Sequence, residues 1–362
     1  MTAQEALIAL NMISDIGGRR LAALLERFGR PERVFDASEQ ALMQVPGIGE
    51  TIAGRIRSFK EESLAQEMRL IKDNRLLIIT CQDADYPVCL RQIPDPPLVL
   101  YIQGKLLAED ARSIAVVGSR RACLYGLSCS RRFAAELAEA GFTIVSGMAR
   151  GIDTAAHRGA LSSAGRTIAV IGSGFGHIYP DENKALAQEI AGRGAVVSEF
   201  PFEAPPLKQN FPRRNRVISG LSLGVLVVEA HRNSGALITA DFALEQGREV
   251  FAVPGAVDSP GSFGTNRLIK QGAKLVCEVG DIIEEFDDAP EAGPLPLKVP
   301  SDLTLEESCI YEIISDKPLT LDEIAERAHL AVPCISVALL QLRIKNLIQE
   351  LPGKHFLRSA HG

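Results

Sequence analysis

The sequence predicts an α/β protein built on a Rossmann-like, doubly wound, mostly parallel sheet. A small all-α segment precedes the sheet, and three helices with a hairpin follow it. Two patterns carry that prediction. From about residue 76, short runs rich in Val, Ile and Leu alternate with amphipathic stretches at helical spacing. Strand, crossover, strand repeated this often gives parallel strands covered on both faces. On either side the pattern changes: residues 1–65 have helical spacing around two glycine turns, and residues 287–300 hold four prolines with no periodicity. A chain of 362 residues is too long for one ordinary domain. The expected divisions are therefore 1–65, 70–286, a semi-rigid linker at 287–300, and 301–362.

In the first segment, VPGIGETIAGRI (45–56) is the clearer turn, with Gly47 and Gly49 leading into a helix that has Ile52 and Ile56 on one face. ISDIGGRRLAALLERFG (13–29) repeats the plan with Gly17-Gly18 ahead of Leu21, Leu24 and Leu25. A Gly-apolar-Gly turn can aim successive N–H groups at a phosphate oxygen, assisted by the following helix N-terminus. Gly47 and Gly49 are on that ground secondary candidates for a DNA-backbone contact, including a weak one to duplex. Glu50 beside the turn opposes it, and a packing or protein-contact role stands equally open.

The body begins with two expected strands, Leu76–Thr80 and Leu98–Ile102, joined through a proline-rich connection. Six more follow at 113–118, 142–147, 167–172, 195–199, 224–229 and 249–255. Between them, Ser128–Ala140 puts Phe133, Ala134 and Leu137 on one helical face and stops at Gly141. Asp153 is placed to cap the next helix. Ligands of such sheets bind beyond the strands' carboxyl ends. That directs attention to Gly118, Ser119 and Arg120, to Ser146 and Gly147, and to Ser234 and Gly235, with Arg150 and Arg232 as further rim candidates.

One stretch stands out chemically. Leu207–Gly220, LKQNFPRRNRVISG, contains Lys208, Arg213, Arg214 and Arg216 and no acid, although the chain's formal net charge is -6. Phe211 and Asn215 sit among those cations. Cations neutralise phosphates, a ring offers a stacking face and an amide can read a base edge, a combination suited to single-stranded nucleic acid. Residues 111–135 add five arginines without an acid, and one sheet edge can gather both segments.

Other classes are excluded. No apolar run reaches the length of a membrane span, and the first residues carry Glu5 without a basic stretch, so no secretory leader is expected. Seven scattered cysteines without a CxxC argue for reduced thiols in a cytoplasmic protein, and the dispersed histidines give no metal site. No cofactor is expected either. The strand at 113–118 lacks a following G-x-G-x-x-G, no P-loop sequence occurs, and no G-x-S-x-G elbow occurs. His157 reads as a hydrogen-bonded packing residue.

In the tail, Leu305–Ile314, Leu321–Ala328 and Ala331–Ile344 read as helices, and 347–358 as two strands about a Pro-Gly turn. That is a winged-helix plan. Its third helix offers only Arg343 near its end, which favours a protein-contact or spacing role over duplex reading.

Taken in order, GSR, SGMARGIDTAAH, GSGFGHIYP, FPRRNRVISGLS, SGALITADFALEQGREVFAVPG and TNRLIKQGA resemble the DNA processing protein A (DprA/Smf) family of bacterial DNA-binding proteins. The match spans about residues 85–277, and the glycine turns before it resemble tandem helix-hairpin-helix elements. The resemblance implies a non-enzymatic protein that binds single-stranded DNA and loads RecA recombinase onto it, protecting incoming DNA during natural transformation. It also implies a homodimer. Carried onto this chain, Arg120 matches a phosphate contact; Lys208, Arg213, Arg214 and Arg216 fall in the basic segment; Phe211 is the stacking ring; and Asn215 contacts backbone or base. Ser234 and Gly235 face the same pocket, and Leu268 and Ile269 mark the dimer helix.

A second resemblance, to lysine-decarboxylase-like phosphoribohydrolases, implies cleavage of nucleoside monophosphates. Their P-G-G-x-G-T-x-x-E loop corresponds here to RNSGALITADFALEQG, which places Ala243 near the acid position and Glu245 off it. Without that carboxylate nothing stabilises a developing oxocarbenium ion.

Overall fold

A computed structural model of the chain describes residues 1–286 and, beyond them, 304, 307, 310, 311, 313, 314, 319–328, 332–345, 348–351 and 355–358. Two compact units result, Met1–Asp288 and Ala289–Gly362. The expected linker at 287–300 lies outside the described residues.

The first unit is built on a nine-stranded sheet. Its strands are β1 (Leu77–Thr80), β2 (Val99–Gly104), β3 (Ser113–Val117), β4 (Thr143–Ser146), β5 (Thr167–Val170), β6 (Ala195–Ser198), β7 (Gly224–Val227), β8 (Glu249–Ala252) and β9 (Lys274–Leu275). They lie in the order β1-β2-β6-β5-β4-β3-β7-β8-β9. From β6 across to β9 all neighbours are parallel, whereas β2 runs antiparallel to β6 and β1 antiparallel to β2. The apolar runs are explained by this arrangement, since every residue of β3 to β7 is buried. After β3 the chain winds to one side through β4, β5 and β6, then returns to the other side of β3 as β7. The topological switch therefore falls between β3 and β7, where the loops part and leave a crevice.

Helix boundaries depart from the sequence pattern where local hydrogen bonds decide them. The helix expected from Ser128 begins at Leu124, because the Cys123 thiol at its N-cap accepts from the Gly126 N–H at 3.4 Å. Its first turn carries exposed Leu124 and Tyr125, so no apolar face announces it. Asp153 is not the cap of its helix. Gly151, at φ 76°, takes that place, and Asp153 sits in the first turn accepting from the Ala149 N–H at 3.2 Å. A Cβ on Gly151 would lie 2.3 Å from the Ser119 carbonyl oxygen, so only glycine fits there. The two-residue β9 is too short for any periodicity to reveal.

Six helices precede the sheet: Ala3–Met12, Gly18–Phe28, Pro31–Asp36, Glu39–Met43, Glu50–Arg57 and Glu61–Asp73. The division expected between residues 65 and 70 falls inside the last of them. These helices share a core with the sheet edge, where Leu7, Ile8, Leu10 and Leu64 pack with Leu98, Val99, Tyr101 and Phe202. Polar ties reinforce the join: Asn11 Nδ2 donates to the Glu199 carbonyl at 2.9 Å, and the Phe202 N–H donates to buried Glu67 at 2.8 Å.

In the second unit, β10 (Leu319–Thr320), β11 (Ile348–Leu351) and β12 (His355–Arg358) form a sheet in the order β10-β12-β11. Helices Leu321–Ala328 and Val332–Ile344 accompany it, with Ile310, Ile314, Ile324, Ile335 and Leu342 in its core. The expected hairpin is present, and β10 adds a strand to it. Of the expected helix at Leu305–Ile314, the described residues Glu307, Ile310, Tyr311 and Ile313 are helical.

His157 is fully buried, with Nδ1 2.7 Å from Thr167 Oγ1. That hydroxyl donates its own proton to the Ile144 carbonyl at 2.7 Å, so the imidazole must donate from Nδ1. Nε2 then faces no hydrogen-bond partner, and burial holds the pKa down at about 3. The unfolded chain takes up a proton near the ordinary histidine value, so this residue's contribution to stability falls as pH drops from about 6.5 towards about 3, by roughly 1.4 kcal/mol per pH unit. Burial pushes Asp153 up to about 6, which works in the opposite direction as pH falls from there. Urea denaturation of wild type and His157→Asn at several pH values isolates the histidine: the loss of stability on acidification is expected to be smaller in the variant.

Candidate nucleic-acid interface

A groove of about 1240 Å³ opens at the β3/β7 switch. Gly118, Ser119 and Arg120 come from the turn after β3, His231 to Gly235 from the turn after β7, and Phe211, Arg214 and Asn215 from helix Asn210–Gly220. Helical geometry explains the selection from that last element. Residues three and four apart share a face, so Phe211, Arg214, Asn215 and Ile218 turn to the groove together.

Phe211 is half-buried in an aromatic and cationic setting. Its ring centroid lies 5.9 Å from that of Tyr179, tilted by 59°, and the Arg120 guanidinium carbon lies 4.9 Å above it. Gly172 makes room for the ring, since a Cβ there would stand 2.9 Å from Phe211 Cδ1. Arg232 lies 4.2 Å over Phe263 farther along the wall. Arg120, Arg121, Lys208 and Arg232 are all exposed, and among the described residues no acid forms an ion pair with any of them. Ser234 caps helix Gly235–Glu245, its hydroxyl accepting from the Ala236 N–H at 3.3 Å, so a helix N-terminus also opens onto the groove.

Arg214 plays a different part from the one its sequence neighbours suggest. Only 3% exposed, it donates from Nη1 to the carbonyls of Gly147 (2.6 Å) and Val170, and from Nε to Asn215 Oδ1 at 3.2 Å. It thereby clamps the helix to the ends of β4 and β5. Burial lowers its pKa to about 10, so it remains a cation at neutral pH. Burial raises Asp153, the one acid among the groove-lining residues, against the opposing pull of Arg214 and the Ala149 and Gly147 N–H groups. Asn215 is equally committed, its Nδ2 donating to the Gly235 carbonyl at 3.2 Å.

Arg213 and Arg216 do not stand beside Arg120. They occupy the opposite helix face, where both engage Glu199: Arg216 Nη2 at 2.5 Å and Arg213 Nη2 at 3.2 Å from the same carboxylate oxygen. Glu199 and Arg216 are almost completely buried, a structural pair rather than a phosphate contact. Arg150 is held by both oxygens of Glu182 at 2.7 Å. Ser146 is buried with its hydroxyl on the Val116 carbonyl at 2.6 Å, and Gly147 lies where a Cβ would meet Arg214 and Asp153 at 2.8 Å. These two residues support the floor without lining the groove. Gly47, at φ 80°, gives its carbonyl to Arg20 Nε at 2.9 Å, and Gly49 caps helix Glu50–Arg57; neither lines the groove. Leu268 packs into the core, and Ile269 is half-buried against it. Tyr179, Arg121, His231 and Phe263 join the lining without having been singled out in the sequence. Tyr179 had a local signal in the GSGFGHIYP turn, and Arg121 in the acid-free segment 111–135. Ala243 is buried, and Glu245 faces a separate cavity.

A family model described as DNA recombination-mediator protein A matches residues 77–287, more than half of the chain. The chain belongs to this recombination-mediator family. A DprA winged-helix model matches residues 294–354, and a tandem helix-hairpin-helix model of the SAM-like kind matches residues 7–59. Among relatives of the family, Protein Smf of Escherichia coli is 39% identical over 361 residues, 98% of this chain and 95% of that protein. DNA processing protein DprA of Bacillus subtilis is 44% identical over 226 residues, 62% of this chain and 76% of its own. The crystal structure of DprA from Streptococcus pneumoniae superposes with a TM-score of 0.70 at 36% identity, over 79% of this chain and 99% of that one. DNA processing protein A from Helicobacter pylori, whose structure concerns a single-stranded DNA binding mode, gives 0.53 at 31% identity, over 59% of this chain and 97% of that one.

The two classes of arginine respond differently to truncation. Removing one partner of a buried pair strands the other charge, so Glu199→Ala or Arg216→Ala is expected to cost about 3–5 kcal/mol of stability. Arg120→Ala is expected to change stability by no more than about 0.5 kcal/mol. Equilibrium urea denaturation of the three variants measures both.

Proposed function

We propose that the groove at the β3/β7 switch binds single-stranded DNA, and that the protein is a recombination mediator rather than an enzyme. The observation that carries this reading is the Phe211–Tyr179 pair bordered by Arg120, Arg121, Lys208 and Arg232, cations that form no ion pair among the described residues. Aromatic faces accept unstacked bases of any sequence, and the cations neutralise the phosphates between them. A duplex keeps its bases stacked and offers these rings nothing. The single-stranded DNA binding mode of the Helicobacter pylori relative supports the same assignment.

Within that reading, the protein acts in the cytoplasm, shields incoming single strands and delivers them to RecA recombinase during DNA uptake. It works as a homodimer joined through its α/β body. These finer roles rest on the family resemblance. With Ala243 in the core, helix Gly235–Glu245 brings no carboxylate to the groove, which favours binding over nucleotide hydrolysis.

Two outcomes test the reading. Binding of oligo-dT, followed by fluorescence anisotropy, is expected to weaken as salt rises, with a log–log slope of about -0.7 per neutralised phosphate. Salt-independent or absent binding would refute it. In the same assay Phe211→Ala is expected to lose about 1–3 kcal/mol of affinity while the fold persists, and Arg120→Ala to lower the salt slope. Release of base from a nucleoside monophosphate would instead establish a hydrolase.

A further inference from the structure

The groove carries a second exposed ring. Phe263 opens helix Phe263–Lys270 and lines the groove farther along from Phe211. It is 39% exposed and enters none of the hydrophobic cores among the described residues, whereas Leu268 of the same helix is buried in one. A cation covers it instead, the Arg232 guanidinium carbon lying 4.2 Å from the ring centroid. A single exposed apolar side chain is ordinary on a protein surface, but this one repeats a construction. Phe211 too stands outside those cores, with the Arg120 guanidinium carbon at 4.9 Å. Both pairs line the same groove, and both arginines are exposed without an ion pair among the described residues.

The second ring is also held in position. The Gly264 N–H donates to the Ala230 carbonyl at 2.7 Å, and the Ala230 N–H donates to the Gly261 carbonyl at 2.8 Å. These bonds fasten both sides of Phe263 to the turn that carries Arg232. Arg267 lies one turn farther along the same helix face, exposed and likewise without an ion pair among the described residues. It lines a smaller cavity of about 270 Å³ that shares Arg232, Asn233, Ser234 and Ile238 with the groove and has Asp241 as its acid. The cationic wall therefore continues past the ring.

We infer that Phe263 is a second stacking site, taking an unpaired base of the strand that Phe211 also holds, with Arg232 and Arg267 on the phosphates beside that base. The inference rests on the single-strand reading of the groove. Phe211 packs against Gly172, just past β5, whereas the Phe263 turn is bonded beside the end of β7. Three strand spacings, about 14 Å, separate those ends. Stacked bases rise only about 3.4 Å per step, so the two rings take bases that are not neighbours. The strand is gripped at two separated points, and the bases between them pass the exposed His231 and the N-terminus of helix Gly235–Glu245.

The chain has no tryptophan, so Phe263→Trp places a single reporter at the second site. Its fluorescence is expected to be quenched by saturating oligo-dT of about twelve nucleotides. An abasic strand of the same length, which carries the phosphates without the bases, is expected to leave it unquenched. Quenching by neither strand, or equally by both, would overturn the inference. In anisotropy titrations Phe263→Ala is expected to weaken oligo-dT about tenfold and to leave the abasic strand's affinity unchanged, while Phe263→Trp binds oligo-dT at least as tightly as wild type. Phe263→Leu keeps an apolar side chain without a ring, and it should lose what the alanine variant loses. Full affinity in the alanine or leucine variant, or an equal loss on both strands, refutes the second site while wild-type binding still upholds the groove. If wild type binds no oligo-dT, the reading of the groove fails, and the second site with it.

Discussion

The buried carboxylate of Glu199 organises this molecule. It stands just beyond β6, almost without solvent, and it holds Arg216 and Arg213 on one face of helix Asn210–Gly220. Its own carbonyl accepts from Asn11, in the first helix of the chain. A carboxylate at such a depth needs partners, and the two guanidinium groups supply them. Fixing the rotation of one helix has a direct result for the other face. With Arg213 and Arg216 turned towards Glu199, Phe211, Arg214 and Asn215 must turn towards the β3/β7 crevice. Arg214 then locks the orientation by bonding the carbonyls at the ends of β4 and β5.

This division of labour shows what the sequence could and could not reveal. The strands were legible because parallel strands buried on both faces are apolar throughout, a pattern that needs no tertiary knowledge. The crevice followed from topology, and Arg120, Lys208 and Phe211 from composition in the turns beside it. The roles of neighbouring arginines were not legible. Lys208, Arg213, Arg214 and Arg216 read as one basic cluster, yet Lys208 precedes the helix and the helical period turns Arg214 away from Arg213 and Arg216. Asp153, which answers Arg214, lies far away in sequence, and Glu199 sits outside the segment at the end of β6. His231 and Phe263 escaped notice for a related reason: each looks ordinary until the sheet brings three turns to one edge. Asp153 also misled, since an acid near a helix start reads as a cap, while φ 76° at Gly151 gives the glycine that position.

The groove pairs a buried floor with exposed walls. Arg214, Asn215 and Ser234 spend their hydrogen bonds on the protein itself, so they set shape and potential. The exposed side chains of Arg120, Arg121, Lys208 and Arg232 keep theirs for a ligand. Under the proposed binding of single strands, one ring is held in place while exposed cations follow a backbone of any sequence, as suits a binder that does not read bases by their edges.

The core shared by the first helices and the sheet edge has a further consequence. Leu98, Val99 and Tyr101 have their outer neighbours in Leu7, Ile8 and Leu10, not in solvent. A fragment beginning at β1 would expose that apolar surface beside an unprotected strand, the geometry through which chains stick to one another. In this chain the N-terminal helices therefore act as a built-in cover for the sheet. Any shorter relative that dispenses with them must carry polar substitutions on β1 and β2, or another element laid over the same strands.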